Sequence, residues 1–90
     1  YPGVSPLHCF LKDTKRARYT AASDEDALKA FKIVSKYESI RPSLEPSHAF
    51  SVAISEAKKL SKNTIVIVNS CGDAYKDRKI LKKKLGVKLW

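Results

Sequence analysis

The sequence predicts an α/β fold: a fragment of a three-layer αβα domain with short parallel strands and about three helices. Three observations point there. Thr64-Ile-Val-Ile-Val68 is an unbroken run dominated by β-branched residues, with no polar alternation, so a strand built from it must be covered on both faces. Two helical patterns precede it and a lysine-rich one follows. Such alternation favours parallel strands joined by right-handed crossovers.

Taken in order, Tyr1 to Pro6 holds two prolines and a glycine and reads as an irregular connector. Leu7 to Lys12 suits a short helix with Leu7, Phe10 and Leu11 on one side, where His8 is a surface histidine rather than a ligand. Arg18-Tyr-Thr-Ala-Ala22 reads as a short strand. Ser23 then suits an N-cap, with Asp26 three residues on as a variant of the capping box and Asp24, Glu25 and Asp26 complementing the helix dipole. Ala27, Ala30, Phe31 and Val34 recur at helical spacing and face inward, while Pro42 requires the helix to end before it. A second helix follows Leu44-Glu-Pro-Ser-His-Ala49. Pro46 suits its first turn, and Ala49, Ala53, Ala57 and Leu60 make a small-residue stripe suited to close packing. Strand Thr64 to Val68 then opens into Asn69, Ser70, Cys71 and Gly72, where a parallel sheet places its ligands. The last helix carries Lys76, Arg78, Lys79, Lys82, Lys83, Lys84 and Lys88 around Ile80, Leu81 and Leu85.

Ninety residues make one small domain with modest stability of its own, and a chain that starts at Tyr1 with no methionine reads as a piece of something longer. No run approaches the roughly 18 apolar residues of a membrane span, and the first residues lack a signal-peptide layout. A soluble, cytoplasmic setting is expected, with Cys9 and Cys71 as free thiols. The net charge of +9 admits a small basic module acting on nucleic acid or an acidic partner. Against that, no aromatic residue is interleaved with the basic clusters, and no zinc spacing or nucleic-acid signature occurs. A solvated helix face is the better explanation of the lysines, and nucleic acid is not the expected partner. Glu45, just ahead of a helix, suits dipole compensation; alternatively, Glu45 and His48 share one rim with Cys71.

Four blocks in order, Tyr1-Pro-Gly-Val-Ser-Pro-Leu-His8, Asp24-Glu-Asp-Ala-Leu-Lys-Ala-Phe31, Leu44-Glu-Pro-Ser-His-Ala49 and Val68-Asn69, closely resemble consecutive blocks of the tryptophan synthase beta chain. The likeness covers essentially all 90 residues, which correspond to the C-terminal quarter or so of that family's chain. It implies a parent enzyme that uses pyridoxal phosphate to join L-serine and indole with release of water. Within that parent, residues 1–90 form a single C-terminal piece of the cofactor-binding catalytic domain.

In the family a strand ends in a pattern like Asn-x-Ser-Gly-Arg-Gly-Asp-Lys-Asp, whose serine hydroxyl meets the pyridine nitrogen of the cofactor. Laid ungapped here, Asn69, Gly72, Lys76 and Asp77 match, Cys71 falls on the serine, and Asp73, Ala74 and Tyr75 depart. A thiol is a weaker donor than a hydroxyl but equally neutral, so the electronic role is expected to survive. Ser70, on the opposite side of the strand, takes over only if the turn is remodelled. The resemblance also makes Glu45 a residue close to the cofactor and gives backbone carbonyls near Tyr1 and Gly3 a part in binding a monovalent cation. The lysine that carries the cofactor, the catalytic glutamate and the glycine-rich phosphate cradle lie upstream in the family. The implied partners are the remainder of the beta chain and an alpha subunit. An isolated piece is expected to self-associate and to lack activity.

Overall fold

The computed structural model describes residues 3–86. These residues form four α-helices and one short 3₁₀ turn: α1 (Pro6–Asp13), α2 (Asp24–Glu38), α3 (Leu44–Ala57), a 3₁₀ turn (Ala74–Asp77) and α4 (Arg78–Leu85). Helix α2 starts as its sequence dictates. The Ser23 Oγ accepts the Asp26 backbone N–H at 3.1 Å and donates its own proton to Asp26 Oδ2 at 2.8 Å. The second bond differs from an ordinary capping box, in which the third residue reaches back to the cap's N–H. The helix ends at Glu38, four residues before Pro42, with Ser39 in the left-handed region at φ 58°.

The apolar stripe of α2 is buried as its spacing requires: Ala27, Ala30, Phe31 and Val34 are all at most 5% exposed. Phe31 meets Ala74 and Leu81, both fully buried, and Leu28, Leu44 and Leu85 pack against this centre. The core therefore joins α2, the start of α3, the 3₁₀ turn and α4. Helix α2 also lies along α3, the principal helix pair of the molecule.

Both expected strands are absent among the described residues. Residues 18–22 and 64–68 are irregular, and the one β-bridge among the described residues is antiparallel, between Pro42 and Asp73. The physical reason lies in pairing. A strand is stabilised by a ladder of hydrogen bonds to a neighbour and by cover on its faces. Neither segment finds a ladder here, and Ile65 and Ile67 are 87% and 89% exposed. The α/β layer expected from the sequence is thus, in the described residues, an assembly of helices.

The small-residue stripe of α3 departs from expectation for the same reason. Ala49 and Ala57 are exposed, Leu60 is 46% exposed and only Ala53 is half-buried. Ala49 and Ala53 floor an open groove of about 580 Å³ between the two irregular segments, walled by Tyr19 and Thr20 on one side and Val66 and Val68 on the other. The floor suits close packing, but nothing in the described residues fills it. Helix α1 buries no residue at all, leaving Leu7 and Phe10 more than half exposed. Its His8 meets the Tyr19 hydroxyl through Nδ1 at 2.6 Å.

Candidate functional site

The residues after Val68 are built against the first turn of α3. Gly72 sits at φ +95°, a conformation that side chains other than glycine rarely adopt. A Cβ placed there would lie 2.9 Å from Ser43 Oγ, so the close approach of the two segments requires glycine on both counts. Ser43 is fully buried between them. Its N–H donates to the Gly72 carbonyl at 3.4 Å and its hydroxyl donates to the Cys71 carbonyl at 3.2 Å. The Ala74 N–H donates to the Arg41 carbonyl at 2.9 Å, closing the other side of the turn.

Because Ser43 is engaged with Cys71, its side chain does not cap α3. Asp77 does so instead, accepting the Leu44 N–H at 2.8 Å from 33 residues away. A carboxylate at that position satisfies one of the unpaired N–H groups of the helix start and complements its dipole. Asp73 plays the same part for the 3₁₀ turn by accepting the Tyr75 N–H at 2.8 Å. Asp73 thus gives a local reason for the altered residues after Gly72. Replacing Asp77 with alanine is expected to lower stability by about 1–2 kcal/mol, the usual cost of a lost cap. Urea denaturation of Asp77→Ala checks this, with Asp77→Asn expected to retain part of the loss.

Glu45 lies inside the first turn of α3 rather than ahead of it. The Lys76 Nζ donates to its Oε1 at 2.9 Å. That bond, together with its own backbone N–H and Ser43, holds the Glu45 carboxyl below its ordinary titration range. His48 has a structural place. Its Nδ1 donates to the Leu44 carbonyl at 2.8 Å and its Nε2 lies 3.2 Å from Asp24 Oδ1, tying the start of α2 to α3. Glu45 and His48 do share one cavity, of about 250 Å³, with Leu28, Ile80 and Lys84; Cys71 is not among its walls.

Cys71 and Ser70 are both exposed, and the Cys71 thiol is free. The structure therefore joins Cys71, Gly72 and Glu45 through Ser43 and Lys76, while Ser70 enters none of these bonds. Gly3 is exposed in the irregular start of the chain, and Tyr1 lies outside the described residues, as does Lys88. No group of three or more His, Cys, Asp or Glu side chains able to hold a metal ion occurs among the described residues. None of their helices is long and apolar enough to cross a membrane. Sequence reasoning missed Ser43 and the capping role of Asp77. The one available signal was a serine directly before the start of α3, and it suggests a local cap rather than a bond across the fold.

No family model matches the chain. Individual relatives do. Over 77 residues, 86% of this chain, it is 52% identical to the tryptophan synthase beta chain of Vesicomyosocius okutanii subsp. Calyptogena okutanii. Over the same length it is 48% identical to the tryptophan synthase beta chain of Fusobacterium nucleatum subsp. nucleatum. The aligned region spans about a fifth of each relative, 19% and 20% respectively. With about half of the aligned residues identical over 86% of its length, the chain corresponds to a segment of the tryptophan synthase beta chain.

Proposed function

We propose that these residues supply one wall of a pyridoxal-phosphate site in a tryptophan synthase beta chain that joins L-serine and indole. The observation that carries this reading is the turn Cys71–Gly72, bonded through Ser43 to the helix start that bears Glu45. The residues present fit one edge of the cofactor: an exposed free thiol, a glycine that brings the backbone close, and an oriented carboxylate. Bound pyridoxal phosphate supplies an electron-withdrawing ring for chemistry at the amino acid. In this reading Cys71 faces the pyridine nitrogen as a weak neutral donor, Glu45 lies beside the ring, and Gly72 and Ser70 shape the turn.

Other parts of such a site come from elsewhere. The carrier lysine, the phosphate cradle and the proton-transferring carboxylate of the family have no counterparts in the matching blocks. The remainder of a beta chain is therefore the first partner, covering Ile65 and Ile67 and filling the groove over Ala49 and Ala53. An alpha subunit is the second. Carbonyls near Tyr1 and Gly3 are assigned to a monovalent cation completed by other segments. Self-association of the isolated chain follows from the same uncovered apolar surface.

The 90 residues alone are expected to form no tryptophan from serine and indole, even with abundant pyridoxal phosphate. Product formation is the observable, because exposed lysines react with the aldehyde without organising a site. The comparisons are free cofactor and the chain with its lysines acetylated. Turnover well above both would overturn the assignment as a non-catalytic wall.

A further inference from the structure

Lys76 differs from the other lysines of the basic segment. Lys79, Lys82, Lys83 and Lys84 lie on exposed positions of α4, whereas Lys76 sits in the 3₁₀ turn and reaches back across Gly72 to α3. Its Cε lies 3.9 Å from where a Gly72 Cβ would stand, an ordinary contact distance, so the lysine stem runs alongside the Gly72 turn. Its ammonium then meets Glu45 Oε1 at 2.9 Å. We propose that Lys76 is a positioning residue, which fixes Glu45 as an oriented, ionised carboxylate beside the turn that carries Cys71.

The backbone at both ends of this ion pair is already fixed. Next to Lys76, Asp77 accepts the Leu44 N–H, and Leu44 immediately precedes Glu45. Two residues before Lys76, Ala74 is fully buried and bonded to the Arg41 carbonyl. Forming the pair therefore orders only two side chains, not two segments, and the entropy opposing it is reduced accordingly. Both side chains are about half exposed, at 52% and 50%, so the pair adds little to global stability. Its effect is on the direction and charge of one carboxylate. Glu45 titrates below its ordinary range, chiefly because of the Lys76 hydrogen bond. The stabilisation from the pair is accordingly present above the unfolded carboxyl value and lost as pH falls through the depressed one. At neutral pH Glu45 is a carboxylate and not a proton donor. Its importance for chemistry rests on the proposed placement of the cofactor; the pairing itself does not.

The test is a titration of the Glu45 side-chain carboxyl by carbon-13 NMR in the whole chain without cofactor, comparing the parent with Lys76→Met, Lys76→Gln and Lys76→Arg. The Glu45 midpoint is expected to rise toward the ordinary glutamate value in the methionine and glutamine variants and to stay low with arginine. Thermal midpoints of all four proteins are expected to remain close together, which separates positioning from folding. A Glu45 midpoint indifferent to loss of the lysine charge would overturn the proposal, as would a rise in the arginine variant equal to that with methionine. None of these outcomes depends on pyridoxal phosphate. A failure of the cofactor-site reading would instead show as cofactor retention unaffected by Glu45→Gln in a complete beta chain carrying these residues.

Discussion

Phe31→Ala is expected to abolish cooperative unfolding of the chain at room temperature. Phe31 is 2% exposed and is the largest side chain at the centre of the core, where α2 meets Ala74 and Leu81. Truncating a buried phenylalanine removes its transfer free energy and leaves a cavity, for a loss of about 3–5 kcal/mol. Small domains have total stabilities toward the low end of about 5–15 kcal/mol. The loss is therefore comparable with everything the fold has. Leu28, Leu44 and Leu85 are already packed against the same centre and have limited means of collapsing into the space. Circular dichroism during thermal denaturation reads the result. Tyr37→Ala, on the same helix but 71% exposed, is expected to stay within about 0.5 kcal/mol of the parent.

Gly72→Ala is expected to cost about 2–3 kcal/mol, from two additive causes. An alanine at φ +95° is strained whatever surrounds it, and its Cβ would stand 2.9 Å from Ser43 Oγ. The serine cannot move without breaking its bond to the Cys71 carbonyl, and its backbone is held by the bond to the Gly72 carbonyl. Urea denaturation measures the loss. Ser43→Ala combined with Gly72→Ala should recover part of it, because the clash disappears while the backbone strain remains. A double variant no more stable than Gly72→Ala alone would show that the strain, and not the contact, sets the cost.

How much was legible follows the range of the interactions. The Ser23 cap, the stripe from Ala27 to Val34 and the end of α2 before Pro42 depend on neighbours within a few residues, and all three read correctly. Thr64–Val68 did not become a strand, because β-branched composition expresses only a preference and the ladder that realises it must come from another segment. The same gap left Ala49 exposed and Ala53 only half-buried. Asp77 as the cap of α3, and Ser43 as the bond to Cys71, join positions 33 and 28 residues apart. Such pairings have no periodic signature. Ala74 illustrates the point most plainly: it entered the sequence reading only as a departure from the family pattern, yet it is fully buried against Phe31.

If the turn at Cys71, held against Glu45, forms part of a pyridoxal-phosphate site, it must work when placed in a complete beta chain. The most direct measurement replaces the matching region of the Fusobacterium nucleatum beta chain with these residues and follows cofactor retention through gel filtration, with tryptophan formation as the second readout. The chimera is expected to retain stoichiometric cofactor and to make tryptophan, and a Cys71→Arg version to fold to the same assembly but lose most of the bound cofactor. A correctly assembled chimera that holds no cofactor, or one whose retention is indifferent to arginine at Cys71, would contradict that role.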